Sequence, residues 1–127
     1  MPEGNVEVVR GAYEAFGRQD IPGVMSIMRE DVEWHVPTVV PQGMDTSGHD
    51  GVGGFFQRVG GLWEDLEVNP VDYLTTDDRV AAVIKAKGKY QGEEVSYEAV
   101  HLWTLESGKV TRFQEFVDVD RDAFGGG

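Results

Sequence analysis

The sequence predicts an α+β fold, with three N-terminal helices lying on the concave face of a curved antiparallel sheet. Three observations predict it. Apolar residues recur at helical spacing through the first half of the chain, interrupted by one short alternating stretch. From Leu66 onward the apolar period becomes two, the period of a strand. Turn-forming residues then divide that second half into four stretches. Helices and strands grouped in this way segregate into separate layers. A curved sheet covered on its concave side keeps a cavity at its open end.

The first helix is expected over residues 5–19, where Val6, Val9, Tyr13 and Phe16 share a face and Asn5 is placed to cap the N-terminus. Asp20 caps a second helix whose first turn accommodates Pro22, because the missing N–H has no partner there anyway. That helix carries Val24, Met25, Ile27 and Met28 and is expected to stop near Arg29. Residues 32–36 alternate and end at Pro37, a short strand. Residues 37–49 hold prolines, glycines and Ser47 and read as a loop, long enough for a lid or a pocket rim. Asp50 opens a third helix with Val52, Phe55, Phe56, Val59, Leu62 and Trp63 on its apolar side. Strands follow at 67–75, 79–90, 94–105 and 110–118. The middle two exceed the usual strand length, so a bulge or strong bend is expected. A last helical turn is expected at 122–124 and a frayed tail at 125–127.

The 127 residues suit one domain, 1–127, with one core. No apolar run approaches the roughly 18 residues of a membrane span, and no secretory signal is visible, so a cytoplasmic location is the default. A net charge of −12 makes nucleic acid and anionic membranes poor partners. The absence of cysteine removes disulfides, thiolate nucleophiles and Cys-based metal sites. His35, His49 and His101 lack metal-ligand spacing, so no metal is expected. There is no GxSxG, Walker or dinucleotide fingerprint, and no cofactor is expected.

Alternation orients one strand well. Lys85, Lys87 and Lys89 share a face that must meet water, which turns Ala82, Ile84, Ala86 and Gly88 inward. Over 94–105 the rule is silent, because Tyr97, His101 and Trp103 on one face oppose Val100 and Leu102 on the other. A sheet apolar on both faces is covered on both. One cover is the helices and the other is a candidate homodimer interface. Glu115 alternates with Phe113 and Val117, and pattern alone leaves its direction open. If it faces inward, burial favours its protonated form and makes it a usable general acid or base. His101 is open to two readings, a hydrogen-bonded strand histidine or a proton carrier.

Four motifs in order carry a family resemblance. Tyr13-Glu14-Ala15-Phe16 through Asp20-Ile21 resembles the opening helix of SnoaL-like proteins in the nuclear transport factor 2-like superfamily. Glu30 through Pro37 resembles their first strand, Gly48-His49-Asp50-Gly51-Val52 with Phe55-Phe56 their third helix, and Ser107 through Asp118 their closing hairpin. The resemblance implies the cone-shaped roll. Ketosteroid isomerases of this superfamily carry acids where this chain has Val36 and Val100, so that mechanism is not implied. Those positions face inward in the family, which implies Trp34, Val36, Val100 and Leu102 inward and His35, His101 and Trp103 outward. Limonene epoxide hydrolases carry an inward aspartate at the position of Glu115, without the rest of their triad being matched here. The expectation is therefore a pocket for a small apolar or polycyclic molecule, lined by Tyr13, Phe16, Met28, Trp34, Val36, Phe55, Phe56, Ile84, Tyr90, Val100, Leu102 and Phe113. Glu115 would serve cofactor-free isomerisation, cyclisation or hydration there. The alternative is a ligand-binding or accessory domain without chemistry. A homodimer is expected through Tyr97, His101 and Trp103 on the outer face.

Overall fold

The computed structural model describes residues 2–119 and 124. The expected last turn, except for Phe124, and the tail at 125–127 lie outside the described residues. The elements run α1 (Pro2–Gly17), α2 (Ile21–Met25), β1 (Met28–Val36), β2 (Met44–Ser47), α3 (Gly48–Leu62), β3 (Trp63–Thr75), β4 (Arg79–Tyr90), β5 (Glu93–Glu106) and β6 (Lys109–Asp118). The six strands form one sheet in the order β2-β1-β6-β5-β4-β3. Every neighbouring pair is antiparallel except β1 and β6, which run parallel. The helices cover one face, as the α+β reading requires, and the core lies between them and the sheet. Among the described residues no helix is long and apolar enough to cross a membrane.

The local chemistry accounts for most of the boundaries. Asp20 accepts a hydrogen bond from the Gly23 backbone N–H at 3.0 Å and caps α2, with Pro22 in its first turn. Two hairpins turn on two residues each, Gln91-Gly92 and Ser107-Gly108, all four with positive φ. That is the mirror-image turn whose twist matches the strands it joins, and glycine takes it without strain.

Several boundaries differ from expectation. Asn5 lies inside α1 rather than capping it, and its side-chain amide reaches the Asp77 carbonyl at 3.2 Å, tying the helix to the β3–β4 turn. The second helix stops at Met25, and Met28 already belongs to β1, where sheet pairing outweighs the helical spacing of Ile27 and Met28. The expected loop contains β2, an edge strand of four residues whose partner Glu33–Val36 fixes it. The bulges fall on the strands that flank β4 and β5, and β1 is irregular between Met28 and Glu33. β3 carries extra residues between Glu64 and Glu67 and between Pro70 and Asp72, and β6 carries one opposite Thr104/Leu105, while β4 and β5 pair without interruption. An edge strand that bends at bulges tolerates Pro70, which has no N–H to give the ladder.

Candidate functional site

β4 turns its small residues inward and its lysines outward, as alternation requires: Ala82, Ile84 and Ala86 are buried and Lys85, Lys87 and Lys89 exposed. β1 buries Trp34 and Val36, with His35 between them held by Asp45 (2.9 Å) and Glu33 (3.5 Å) near the surface. β6 buries Phe113 and Glu115.

β5 faces the opposite way from the family-based expectation. His101 is 7% and Trp103 3% exposed, and Tyr97 is buried beside them, whereas Val100 is 36% exposed and Leu102 only part-buried. Val100 and Leu102 therefore sit on the outer face, and Tyr97, His101 and Trp103 cannot form an outer interface. β5 pairs with β4 without a break, Ala82 beside His101 and Ile84 beside Ala99, so the inward face of β4 fixes that of β5; the bulge in β6 then turns Glu115 to the same face. From the turn outward the hairpin pairs Glu106 with Lys109 and Leu105 with Val110, a register that would set Val100 opposite Glu115. The extra residue, Thr111, shifts it, so Trp103 pairs with Phe113 and His101 with Glu115. One slipped residue exchanges the two faces of a strand.

The shifted register assembles a chain of four buried side chains. Trp103 Nε1–H donates to Tyr13 Oη at 3.0 Å. Tyr13 Oη lies 2.6 Å from His101 Nδ1, and His101 Nε2 lies 2.8 Å from Glu115 Oε2. A phenol has one proton to give, and the Trp103 N–H occupies its oxygen as an acceptor. If Tyr13 donates to Nδ1, the neutral imidazole carries its proton on Nε2 and donates to the carboxylate. Every polar hydrogen is then used and all point toward Glu115. The other ring tautomer would leave the Tyr13 hydroxyl proton with no acceptor among the described side chains. Burial pushes the Tyr13 phenol well above its ordinary range, against the pull of the Trp103 hydrogen bond, with charge on Tyr73 and Glu115 adding to the rise. Tyr13 thus remains a hydrogen-bond donor.

These residues line a cavity of about 70 Å³. Of the expected lining, the structure brings Tyr13, Phe16, Trp34 and Val36 to it, together with Phe55, Phe56, Ile84, Phe113 and Glu115. Met28 is buried behind it, and Tyr90 packs on Trp63 and Phe124 instead (ring centres 5.7 and 5.8 Å). Trp34 stacks on Phe113 at 4.0 Å and meets Phe55, Phe56 and Trp103 at 5.5–6.0 Å, so one contiguous part of the wall is aromatic.

Gln42 was not singled out by any sequence signal. It is buried, lines the cavity, accepts from Trp63 Nε1 (3.0 Å) and donates to Tyr97 Oη (3.3 Å). It pins residues 37–43 over one side of the cavity, where a side chain on Gly43 would collide with the Pro37 carbonyl. His49, whose Nε2 lies 3.0 Å from the Met28 carbonyl, braces α3 against β1 and stands apart from the cavity. Among the described residues no cluster of three His, Cys, Asp or Glu side chains is placed to hold a metal ion.

The cavity adjoins a groove of about 630 Å³ between α1, α3 and β3. Tyr13, Phe16, Phe56, Val59, Leu66 and Val68 line both. The groove adds Arg10, Glu14, Asp65, Glu67 and Tyr73 at its rim, with the Arg10 guanidinium 5.3 Å from the centre of the Tyr73 ring.

The model of the SnoaL-like domain family matches residues 9–113. The fold is similar to that of a nuclear transport factor 2-like protein of unknown function from Burkholderia pseudomallei, with 27% identity, 91% of each chain covered and a TM-score of 0.84. It is also similar to TerC, crystallised with polyporic acid, at 28% identity and a TM-score of 0.82 over 91% of this chain and 92% of that one. A third structure of like fold is Bal32a from a soil-derived mobile gene cassette, at 23% identity and a TM-score of 0.84, covering 97% of this chain and 95% of that one. No curated protein matches the sequence.

Proposed function

The chain belongs to the SnoaL-like domain family, and from that premise we propose that it binds a small, mainly apolar organic molecule and acts on it by cofactor-free acid–base chemistry, in isomerisation, cyclisation or hydration. The observation that carries this reading is the buried chain from Trp103 through Tyr13 and His101 to Glu115 at the wall of an apolar cavity. Glu115 is the proton acceptor. His101 orients it by donating from Nε2, and Tyr13 in turn fixes the histidine tautomer. In a buried, mainly apolar cavity such a carboxylate needs no metal to exchange a proton with a bound C–H or O–H group.

The size of the cavity refines the ligand. An apolar cavity of about 150 Å³ holds benzene, so 70 Å³ takes only a head group. A polycyclic body would rest in the adjoining groove of about 630 Å³, which is within the range of ligand sites. The co-crystallisation of TerC with polyporic acid supports a small organic ligand. The small cavity also favours a second reading, in which a ligand is held without turnover.

The two are separated with 5-nitrobenzisoxazole, whose ring opens when a base removes one carbon-bound proton. The protein is expected to open it faster than acetate at equal concentration, and Glu115→Gln to lose at least about tenfold of that rate. Equal rates in both proteins sink the acid–base reading and leave the binding one.

The outer face supports a homodimer built from residues other than those first expected. Leu74, Ala81 and Leu102 lie in one cross-strand row and Val83, Val100 and Phe116 in the next. Leu74 and Phe116 are 62% and 51% exposed. Lys85 beside Glu98 on the same face offers a second copy charges of both signs.

A further inference from the structure

Two buried side-chain polar atoms among the described residues have no hydrogen-bond partner, Trp34 Nε1 and Tyr73 Oη. Trp34 is the more telling. It is 3% exposed and lines the inner cavity. A buried N–H without a partner destabilises the fold, and a phenylalanine would fill much of the same aromatic wall without that cost.

The other two indoles of the chain donate, Trp103 to Tyr13 and Trp63 to Gln42. Trp34 Nε1 has no acceptor among the described residues. Its neighbours Phe56 and Trp103 meet it edge to face at 5.8 and 6.0 Å. An aromatic face is at best a weak acceptor.

Its position relative to Glu115 gives the atom a use. β1 and β6 pair in parallel, with Trp34 beside Phe113 and His35 beside Gln114. Glu115 therefore lies two residues farther along the same face, a diagonal of about 8 Å from strand spacing and rise. Trp34 and Glu115 both line the inner cavity, so a head group seated there meets both side chains.

We infer that Trp34 is the specificity-determining donor of the cavity, and that the ligand's buried head carries a hydrogen-bond acceptor, such as a carbonyl oxygen, which receives the Trp34 indole N–H. The inference deepens the acid–base reading and rests on the same cavity being a ligand site. The head enters from the groove between α1, α3 and β3, through the residues the two spaces share. A hydrocarbon head of the same shape leaves the N–H unpaired and binds more weakly. An anionic head is disfavoured by Glu115.

The test compares 2-acetylnaphthalene with 2-isopropenylnaphthalene, which differ only in C=O against C=CH₂. Calorimetry on the intact chain is expected to give the ketone about tenfold tighter binding, the value of one buried hydrogen bond. Trp34→Phe is expected to erase that preference and keep the hydrocarbon's affinity. On the wild-type protein, the Trp34 indole proton resonance is expected to move downfield with the ketone and not with the hydrocarbon, which serves even if the variant fails to fold. Binding of neither probe, equal binding of both to the wild type, a preference that survives Trp34→Phe, or an unmoved indole resonance overturns the inference. Glu115→Gln is expected to leave the ketone preference intact, so loss of the donor role and loss of the base role read out separately.

Discussion

Tyr13 is the residue on which the site turns, because it accepts from Trp103 and donates to His101 at the same time. Tyr13→Phe removes one oxygen and strands two buried groups, the Trp103 N–H and His101 Nδ1. The expected loss is about 1–3 kcal/mol, measured as a shift in the urea midpoint at unchanged slope. Val100→Ala, on the outer face, is expected to cost under about 1 kcal/mol. A Tyr13→Phe protein as stable as the wild type would mean that the chain of hydrogen bonds is not formed in solution. Glu115 was legible in the sequence as an acid flanked by apolar neighbours. Its partnership with His101 was not, because the two are 14 residues apart on different strands and only the register joins them.

At the scale of elements the bulge at Thr111 decides which side chains meet. Removing Thr111 is expected to leave an even hairpin in which Trp103 still meets Phe113 and His101 still meets Glu115, with only the local twist changed. The near-ultraviolet circular dichroism of the packed aromatic residues is expected to be retained. Loss of that signal would show that the pairing of His101 with Glu115 needs the bulge itself. The strands, the hairpin turns and the lysine face of β4 were legible because each follows from local pattern: period two, Gly at positive φ, charge turned to water. A bulge has no comparable signature here, since Thr111 is an ordinary strand residue. The short strand β2 was hidden for a similar reason, as its place depends on β1 and not on its own sequence. The loop at 37–43 depends on Gln42. Gln42→Ala leaves Trp63 Nε1 and Tyr97 Oη unpaired, so it is expected to cost about 1–3 kcal/mol and to speed hydrogen exchange at residues 38–43.

At the scale of the molecule, two buried phenols tie stability to alkaline pH. Burial raises both Tyr13 and Tyr97 above the ordinary value of 10.0, and charge on Glu115 adds to both. Each holds its proton more tightly in the folded state than in the unfolded one. Their contribution is therefore complete below pH 10 and falls as pH rises above it, by about 1.4 kcal/mol per pH unit for each phenol. Urea midpoints above pH 10 are expected to fall less steeply in Tyr97→Phe than in the wild type, and phenolate absorbance from these residues to appear only with unfolding. The proposed homodimer makes a separate prediction, that Phe116→Glu sediments as a monomer while its core stays folded. The α+β layering followed from the change of apolar period along the chain, and the direction of β5 did not; the orientation of His101 depends on that direction. Long-range nitrogen-15 NMR of the imidazole rings tests it directly. Neutral His101 is expected to carry its proton on Nε2, with a bare Nδ1 and slow exchange of that proton with water. A proton on Nδ1, or a ring that exchanges as freely as one on the outer face of the sheet, would contradict it.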